Sequence, residues 1–374
     1  VNIVIAPGAF KNSLTAADTA RHIAAGLQRS GIGAALHLIP IADGGNGTLD
    51  AFLAMGGTRH TLTVRGPLGA PVEAAWGLLA DGETAVIEMA LASGLELIST
   101  LDPLRATTYG TGELMQAALQ AGARRFIIGM GGSATVDGGA GCLQALGVRL
   151  LDVHGQDIGP GGGALAEVAS IDVSGLDPRW QQVEVIIASD VQNPTLGPNG
   201  AAAIFGPQKG ATPADVDLLE ANLSHFFGVV ADTLGVDVRT TEGGGAAGAF
   251  SAGLMAFLGG RIVSGIDLIL DQGGFDAHLR DADLVVTGEG QMDEQTVQGK
   301  GPIGVARRAL VVGVPTVALV GGLRADDALL HEAGLAAVLP IVTAPMPLDE
   351  AIVRAGELVE RAALRLGYLL QISK

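Results

Sequence analysis

One cysteine, Cys142, is present in 374 residues, so no disulfide can form within the chain and nothing points to an oxidising compartment. Aromatic residues are only 3% of the sequence, and alanine and glycine dominate in their place, with 57 glycines. Small residues let helices lie close on sheets. No uninterrupted apolar run reaches the roughly 18 residues of a membrane-spanning helix. Positive charge is also short. The net charge of −17 disfavours nucleic acid and anionic membranes as main partners, though not nucleotides, which arrive with magnesium. The histidines are scattered, with no HExxH and no Cys/His pair, so a zinc site is not expected. No GxSxG elbow and no GxxxxGK[ST] loop occur.

What is present is ample apolar material. Hydrophobic residues make up 48% and charged residues 16%, a composition too apolar for disorder and long enough for two domains. The opening VNIVIAPGAF already reads as a strand with no basic leader before it, so a soluble, cytoplasmic protein is the expectation. A homo-oligomer is compatible with the sequence. Among the 22 basic residues only Lys11, Lys209, Lys300 and Lys374 are lysines. The first three sit in turn-like segments, PGAFKNS, FGPQKGAT and VQGKGP. A compact ammonium suits phosphate oxygens, so these three are candidates for an anionic ligand as well as ordinary surface charges.

The first fifty residues read as strand, helix, strand. Ala16, Ala20, Ile23, Ala24 and Leu27 share one helical face, Thr15 and Asp18 form a capping pattern, and Gly31 follows the helix end. The last hundred residues repeat a βα pattern, including DADLVVTGEG as a strand that ends in a glycine-rich loop, GPIGVARRALVVG as helix and AIVRAGELVERAALRLGYLL as a closing helix. Between them, RGPLGAPVEAAWGLLADGETAVIEMA alternates like antiparallel hairpins, and CLQALGVRLL reads as a helix. The expected fold class is α/β with two domains. A discontinuous, doubly wound Rossmann-like domain with a parallel sheet spans 1–62 plus 270–374, and an inserted α/β domain with a mixed sheet spans 63–269.

Ligands of open parallel sheets bind beyond the carboxyl ends of the strands. The loops there are the polar ones. They carry Lys11 and Ser13, then Asp43, then Gly131, Gly132, Ser133, Thr135 and Asp137, then Asp190, Asn193 and Lys209, and finally Glu289, Asp293, Thr296 and Lys300. The stretch GMGGSATVDGGAG at 129–141 is the most glycine-rich of them. A strand–glycine loop–helix junction can expose N–H groups to a phosphate, and a tight turn is the competing explanation. GGGAAG at 243–248 matches GxGxxG but follows no convincing strand, and is read as chance or a flexible loop. Clustered carboxylates, hydroxyls and glycine loops fit phosphoryl transfer, which needs positioning and charge stabilisation more than covalent protein chemistry. A dinucleotide oxidoreductase lacks its fingerprint here, and a non-catalytic sensor of phosphorylated metabolites has no need of so many carboxylates.

Eight segments, in order along nearly the whole chain, resemble the type I glycerate kinases: FKNSLTA, PIADGGNGT, TYGTGEL, GMGGSATVDGGAG, DVQNP, FGPQKGAT, VVTGEGQMDEQT and GKGPIGVA. The resemblance implies ATP-dependent, magnesium-assisted phosphorylation of D-glycerate between two α/β domains; relatives of this type favour 2-phosphoglycerate as the product, and 3-phosphoglycerate is the alternative the sequence leaves open. It departs from the pattern at Gly8 and Ala9, where the family usually has aspartate and serine, at Asn12 in place of a frequent glycine, and at GKGP in place of GKAP. On this basis Asp190 is expected to take the hydroxyl proton. Lys11 and backbone donors hold the glycerate carboxylate, Glu289 and Asp293 hold magnesium directly or through water, and the 131–135 loop with Lys209 or Lys300 neutralises phosphate oxygens. Spacing alone does not separate the base from the metal ligands.

Overall fold

The computed structural model describes residues 1–42, 44–293, 296 and 301–372. Among these, the strands are β1 Asn2–Ile5, β2 Ala35–Leu38, β3 Gly57–Arg65, β4 Pro71–Leu79, β5 Thr84–Glu88, β6 Arg125–Gly129, β7 Arg149–Leu151, β8 Ser170–Asp172, β9 Glu184–Ala188, β10 Arg261–Val263, β11 Leu284–Met292, β12 Thr316–Leu323 and β13 Ala337–Pro340. The chain divides into two compact units, one of residues 1–43, 50–55 and 265–374, the other of 44–49 and 56–264. These limits differ by several residues from the 62 and 270 expected, because β3 runs continuously across position 62.

The first unit holds a five-stranded sheet in the order β13-β12-β11-β1-β2, parallel throughout. The strand order reverses direction between β1 and β11, which makes their carboxyl ends the topological switch point of the sheet. Thr15 caps the helix Ala16–Arg29 by accepting the Asp18 N–H at 3.0 Å. Ala16, Ala20, Ile23, Ala24 and Leu27 are all buried, as their spacing predicts. The last four of these pack with Leu358, Val359, Ala362, Ala363 and Leu366 of the helix Ala355–Ile372. Ile23 and Leu27 are fully buried, each worth about 1.5–3 kcal/mol. The expected closing helix is in fact two, Leu348–Val353 and Ala355–Ile372, separated at Arg354.

The second unit holds a six-stranded sheet in the order β10-β9-β6-β5-β4-β3. β3, β4 and β5 pair antiparallel, as the alternating pattern predicts, and β5, β6, β9 and β10 are parallel. The parallel strands end level, since Glu88 pairs with Gly129, Gly129 with Ala188, and Ala188 with Val263. Phe126, Ile128, Ile87 and Ile187 form the core beneath them. The helix expected over CLQALGVRLL stops early. It spans Ala140–Ala145, turns at Gly147 with φ 102°, and the remainder becomes β7, paired with β8. Among the described residues no helix is long and apolar enough to cross a membrane.

The close approach of the two long helices of the first unit rests on Gly26. A Cβ there would run into the Glu360 carbonyl oxygen and stand 2.7 Å from the Ala363 Cβ. Alanine gains up to about 1 kcal/mol of helix propensity, but no rotamer change can move a helical carbonyl. Gly26→Ala is therefore expected to destabilise the chain by about 1–3 kcal/mol, read as a lower urea midpoint at unchanged m-value.

Candidate functional site

In the second unit the loop after β6 lies on backbone from the segment before β3. The Gly131 N–H donates to the Gly44 carbonyl at 2.9 Å, and a Cβ on Gly129 would come within 2.9 Å of the same oxygen. A Cβ on Gly131 would overlap the Cα of Gly45. Gly132, Gly138 and Gly139 have φ of 75°, 61° and 82°. Close backbone contact and left-handed turns thus account for these glycines. The helix that follows, Ala140–Ala145, does not offer its first N–H groups outward. Asp137, fully buried, accepts from the N–H of Gly139 at 3.0 Å and of Gly141 at 3.2 Å, and from the N–H and hydroxyl of Thr108 at 2.8 and 2.9 Å. Burial pushes its carboxyl up, against the pull of these hydrogen bonds. The expected helix-terminus phosphate cradle is corrected accordingly, because the protein's own carboxylate occupies that position.

Lys209 lies beneath the same loop. Its side chain is 2% exposed, and its ammonium donates to Ser133 Oγ at 2.8 Å and to the Thr135 carbonyl at 2.6 Å. Burial lowers its pKa to about 7, while the Asp137 charge opposes the shift. Ser133 spends an acceptor lone pair on Lys209, which leaves its hydroxyl proton to donate elsewhere. The Thr135 side chain is fully buried and serves through its carbonyl. Cys142, in the helix after the loop, is buried too, and burial pushes its thiol well up.

Asp190 follows β9 by two residues, at the same sheet edge as the 131–135 loop, and is half-buried. Ser189 Oγ accepts the Val191 N–H at 3.2 Å, which shapes the turn around Asp190. Asn193 closes its own loop by donating from Nδ2 to the Asn199 carbonyl at 2.9 Å. Gly131, Gly132, Ser133, Thr135, Lys209, Asp190 and Asn193 therefore belong to one edge of one sheet and the segments packed on it.

In the first unit the switch point carries the other expected residues. Phe10–Leu14 is a tight turn, with the Leu14 N–H and the Ser13 hydroxyl both donating to the Phe10 carbonyl at 2.9 Å. Asn12 takes φ 64°, a conformation asparagine tolerates where glycine is usual. Lys11 stands exposed in this turn. The Gly8 N–H donates to the Gly288 carbonyl at 2.8 Å, so the segment runs beside the strand that carries Glu289. Asp293 follows that strand; its N–H donates to Thr296 Oγ1 at 3.3 Å and its carbonyl accepts from the Thr296 N–H at 3.1 Å. Asp43 and Lys300 lie outside the described residues.

Glu289 and Asp293 do not fit a single ion held directly by both. β11 stays extended through Met292, which sets the two Cα atoms about 13 Å apart. Magnesium takes oxygen ligands near 2.1 Å and needs one or two carboxylates beside substrate phosphates, so one of the pair can serve directly and the other through water. Among the described residues no three His, Cys, Asp or Glu side chains are grouped to hold a metal.

The profile of the glycerate kinase family matches residues 3–371. The chain belongs to the glycerate kinase family. It is 48% identical to a protein of Bacillus subtilis (strain 168) named glycerate kinase, over 100% of this chain and 99% of that one. It is 46% identical to a protein of Escherichia coli (strain K12) named glycerate 2-kinase, over 100% and 98%. The crystal structure of a Salmonella typhimurium LT2 protein assigned as glycerate kinase 2 superposes with a TM-score of 0.90 at 44% identity, covering 100% of this chain and 99% of that one. Kinase chemistry makes ATP the phosphoryl donor.

Two features of this glycerate kinase family member escape a reading of its loops. Glu88 ends β5 level with Gly129 and is buried. Its carboxylate accepts the N–H groups of Gly47 at 3.1 Å and Leu49 at 3.0 Å, fixing the GGNGT segment against the sheet edge. The signal was a lone carboxylate closing an apolar strand, TAVIE. The other is GGGAAG at 243–248, which is buried rather than a flexible loop.

A lysine pushed down to about pKa 7 has a stability signature. Between that value and its ordinary 10.5 the unfolded chain binds a proton that the folded chain does not, so folding stability rises with pH across this window. Below pH 7 the full cost of the buried charge is present. Relative to Lys209→Met, the wild-type chain is expected to gain roughly 1 kcal/mol of stability per pH unit from pH 7 upward. Urea titrations of both proteins between pH 6 and about 9.5 measure this; parallel curves would contradict it.

Proposed function

We propose that the chain transfers the γ-phosphoryl group of ATP to the C2 hydroxyl of D-glycerate, giving 2-phosphoglycerate and ADP. The observation that carries this reading is the shared sheet edge of the 131–135 loop and Asp190, in a member of the glycerate kinase family. Asp190 takes the proton of the attacking hydroxyl, the oxygen bonds to phosphorus, and ADP leaves with the electrons of the broken bond. A general base needs only hydrogen-bond reach of that proton. Lys11, exposed in its turn, pairs with the glycerate carboxylate as a point charge.

The loop of Gly131, Gly132 and Ser133 faces the transferring phosphoryl oxygens. Lys209 orients the Ser133 hydroxyl from inside the protein. Asn193 holds the Asp190 loop in shape through its bond to Asn199. Ser13 and Thr296 shape the turns that present Lys11 and Asp293. Glu289 and Asp293 would hold magnesium, one directly and the other through water, and the ion would neutralise triphosphate charge. Asp43 and Lys300 are further substrate and phosphate contacts in this reading.

Coupled detection of ADP with ATP, magnesium and D-glycerate tests the reaction, and ³¹P NMR of the product separates the 2-phospho from the 3-phospho ester. Asp190→Asn is expected to lower kcat by about 10²–10⁴-fold while ATP affinity stays within a few-fold. Near-normal turnover would remove Asp190 as the base. Lys11→Met is expected to raise KM for glycerate by about 10–100-fold, the loss of one charge-assisted bond, with KM for ATP unchanged.

A further inference from the structure

The segment 243–249 holds a backbone conformation that its residues do not favour. Ala247, Gly248 and Ala249 take φ of 55°, 69° and 65°, three successive left-handed residues of which two are alanines. L-residues with a Cβ adopt this region at a cost that glycine avoids. Such strain persists only where the surroundings over-determine it, and it clusters at functional sites. Ala249 is fully buried and Ala247 nearly so.

What surrounds the turn is the loop after β6. The Gly138 N–H donates to the Gly248 carbonyl at 3.0 Å, and a Cβ on Gly248 would run into the Thr135 carbonyl oxygen. Thr135 is the residue whose carbonyl accepts from Lys209. A Cβ on Gly139 would stand 2.9 Å from the Phe250 ring. The opening of the same segment holds the loop after β9. The Gly243 N–H donates to the Gln192 carbonyl at 3.1 Å, and the Gly245 N–H to the Asn193 carbonyl at 3.0 Å. One short stretch of chain therefore bonds to the two loops that carry Ser133 and Asp190.

We propose that the left-handed turn Ala247–Ala249 is a positioning element for phosphoryl transfer, fixing the 131–139 loop against the loop of Asp190. Ala247 and Ala249 are positioning residues that act through Gly138 and Thr135. The inference rests on the kinase reading for its catalytic consequence. Alanine confines the turn to a narrow well, whereas glycine would relax the strain and open many neighbouring conformations. Strain and function then move in opposite directions, which a purely structural turn does not predict.

The test uses the full chain with Ala247→Gly, Ala249→Gly and, as a control in the right-handed part of the same helix, Ala256→Gly. Each of the first two is expected to raise Tm by about 1 °C. Both should speed hydrogen exchange at the Gly138 amide and across 131–139, and lower kcat at least about tenfold with both KM values within about threefold. Ala256→Gly is expected to lower Tm and leave kcat unchanged. A raised Tm with wild-type kcat and exchange would overturn the proposal, leaving a turn that only packs. A lowered Tm would overturn it at its root. Should the wild-type chain form no ADP from ATP and glycerate, the kinase reading fails instead, and Tm and exchange still decide whether the turn holds the loop.

Discussion

Taking an ammonium out of water costs several kcal/mol unless its donors find acceptors and an opposite charge lies near. For Lys209 the loop after β6 meets both conditions only in part, since burial still brings its pKa down to about 7. Ser133 Oγ and the Thr135 carbonyl receive its protons, and the Asp137 charge opposes the effect of burial. Asp137 is in turn satisfied by Thr108, Gly139 and Gly141. If the loop relaxed, a buried amine would lose its hydrogen-bond partners. The loop is therefore held by the cost of the alternative, and Ser133 inherits a defined orientation at the end of β6.

Glycine makes that arrangement possible. Gly129 and Gly131 let the loop lie on the backbone of Gly44 and Gly45, and Glu88 anchors the same segment through the N–H groups of Gly47 and Leu49. Gly44 itself sits against the Ala188 carbonyl at the end of β9. Three chain segments thus approach closely through main-chain atoms, where larger side chains at the glycines would force them apart. The entropy given up by so many glycines is matched to contact that no other residue permits.

Much of this was legible before any coordinates. Strong periodicity gave the helix Ala16–Arg29 and its buried face, and β3 to β5 followed from their alternation. The failures have physical causes. β11 runs on through Gly288 and Gly290, residues that ordinarily weaken a strand, because a Cβ at 288 would run into the Leu319 carbonyl of the neighbouring strand. CLQALGVRLL lost its second half to the left-handed Gly147, which the apolar pattern does not register. Among the site residues, a carboxylate in a glycine loop looks the same whether it faces solvent or caps a helix from inside, so Asp137 could not be told from Asp190. Lysines usually keep their heads in water. Nothing near Lys209 in sequence announces partners 74 and 76 residues away. The left-handed alanines at 247 and 249 run against local propensity altogether.

The departure at position 8 is of a different kind. Gly8 has no positive φ, and a Cβ there would meet only the Gly288 carbonyl oxygen at 3.5 Å, an ordinary contact. The backbone therefore does not require glycine where relatives usually carry aspartate. Gly8 changes the charge of the switch point and leaves its shape alone, since the bond from the Gly8 N–H to Gly288 is available to any residue but proline. The chain therefore has no carboxylate at position 8, beside the strand that carries Glu289, while the loop of Asp190 in the other unit is bonded to the strained segment at 243–249.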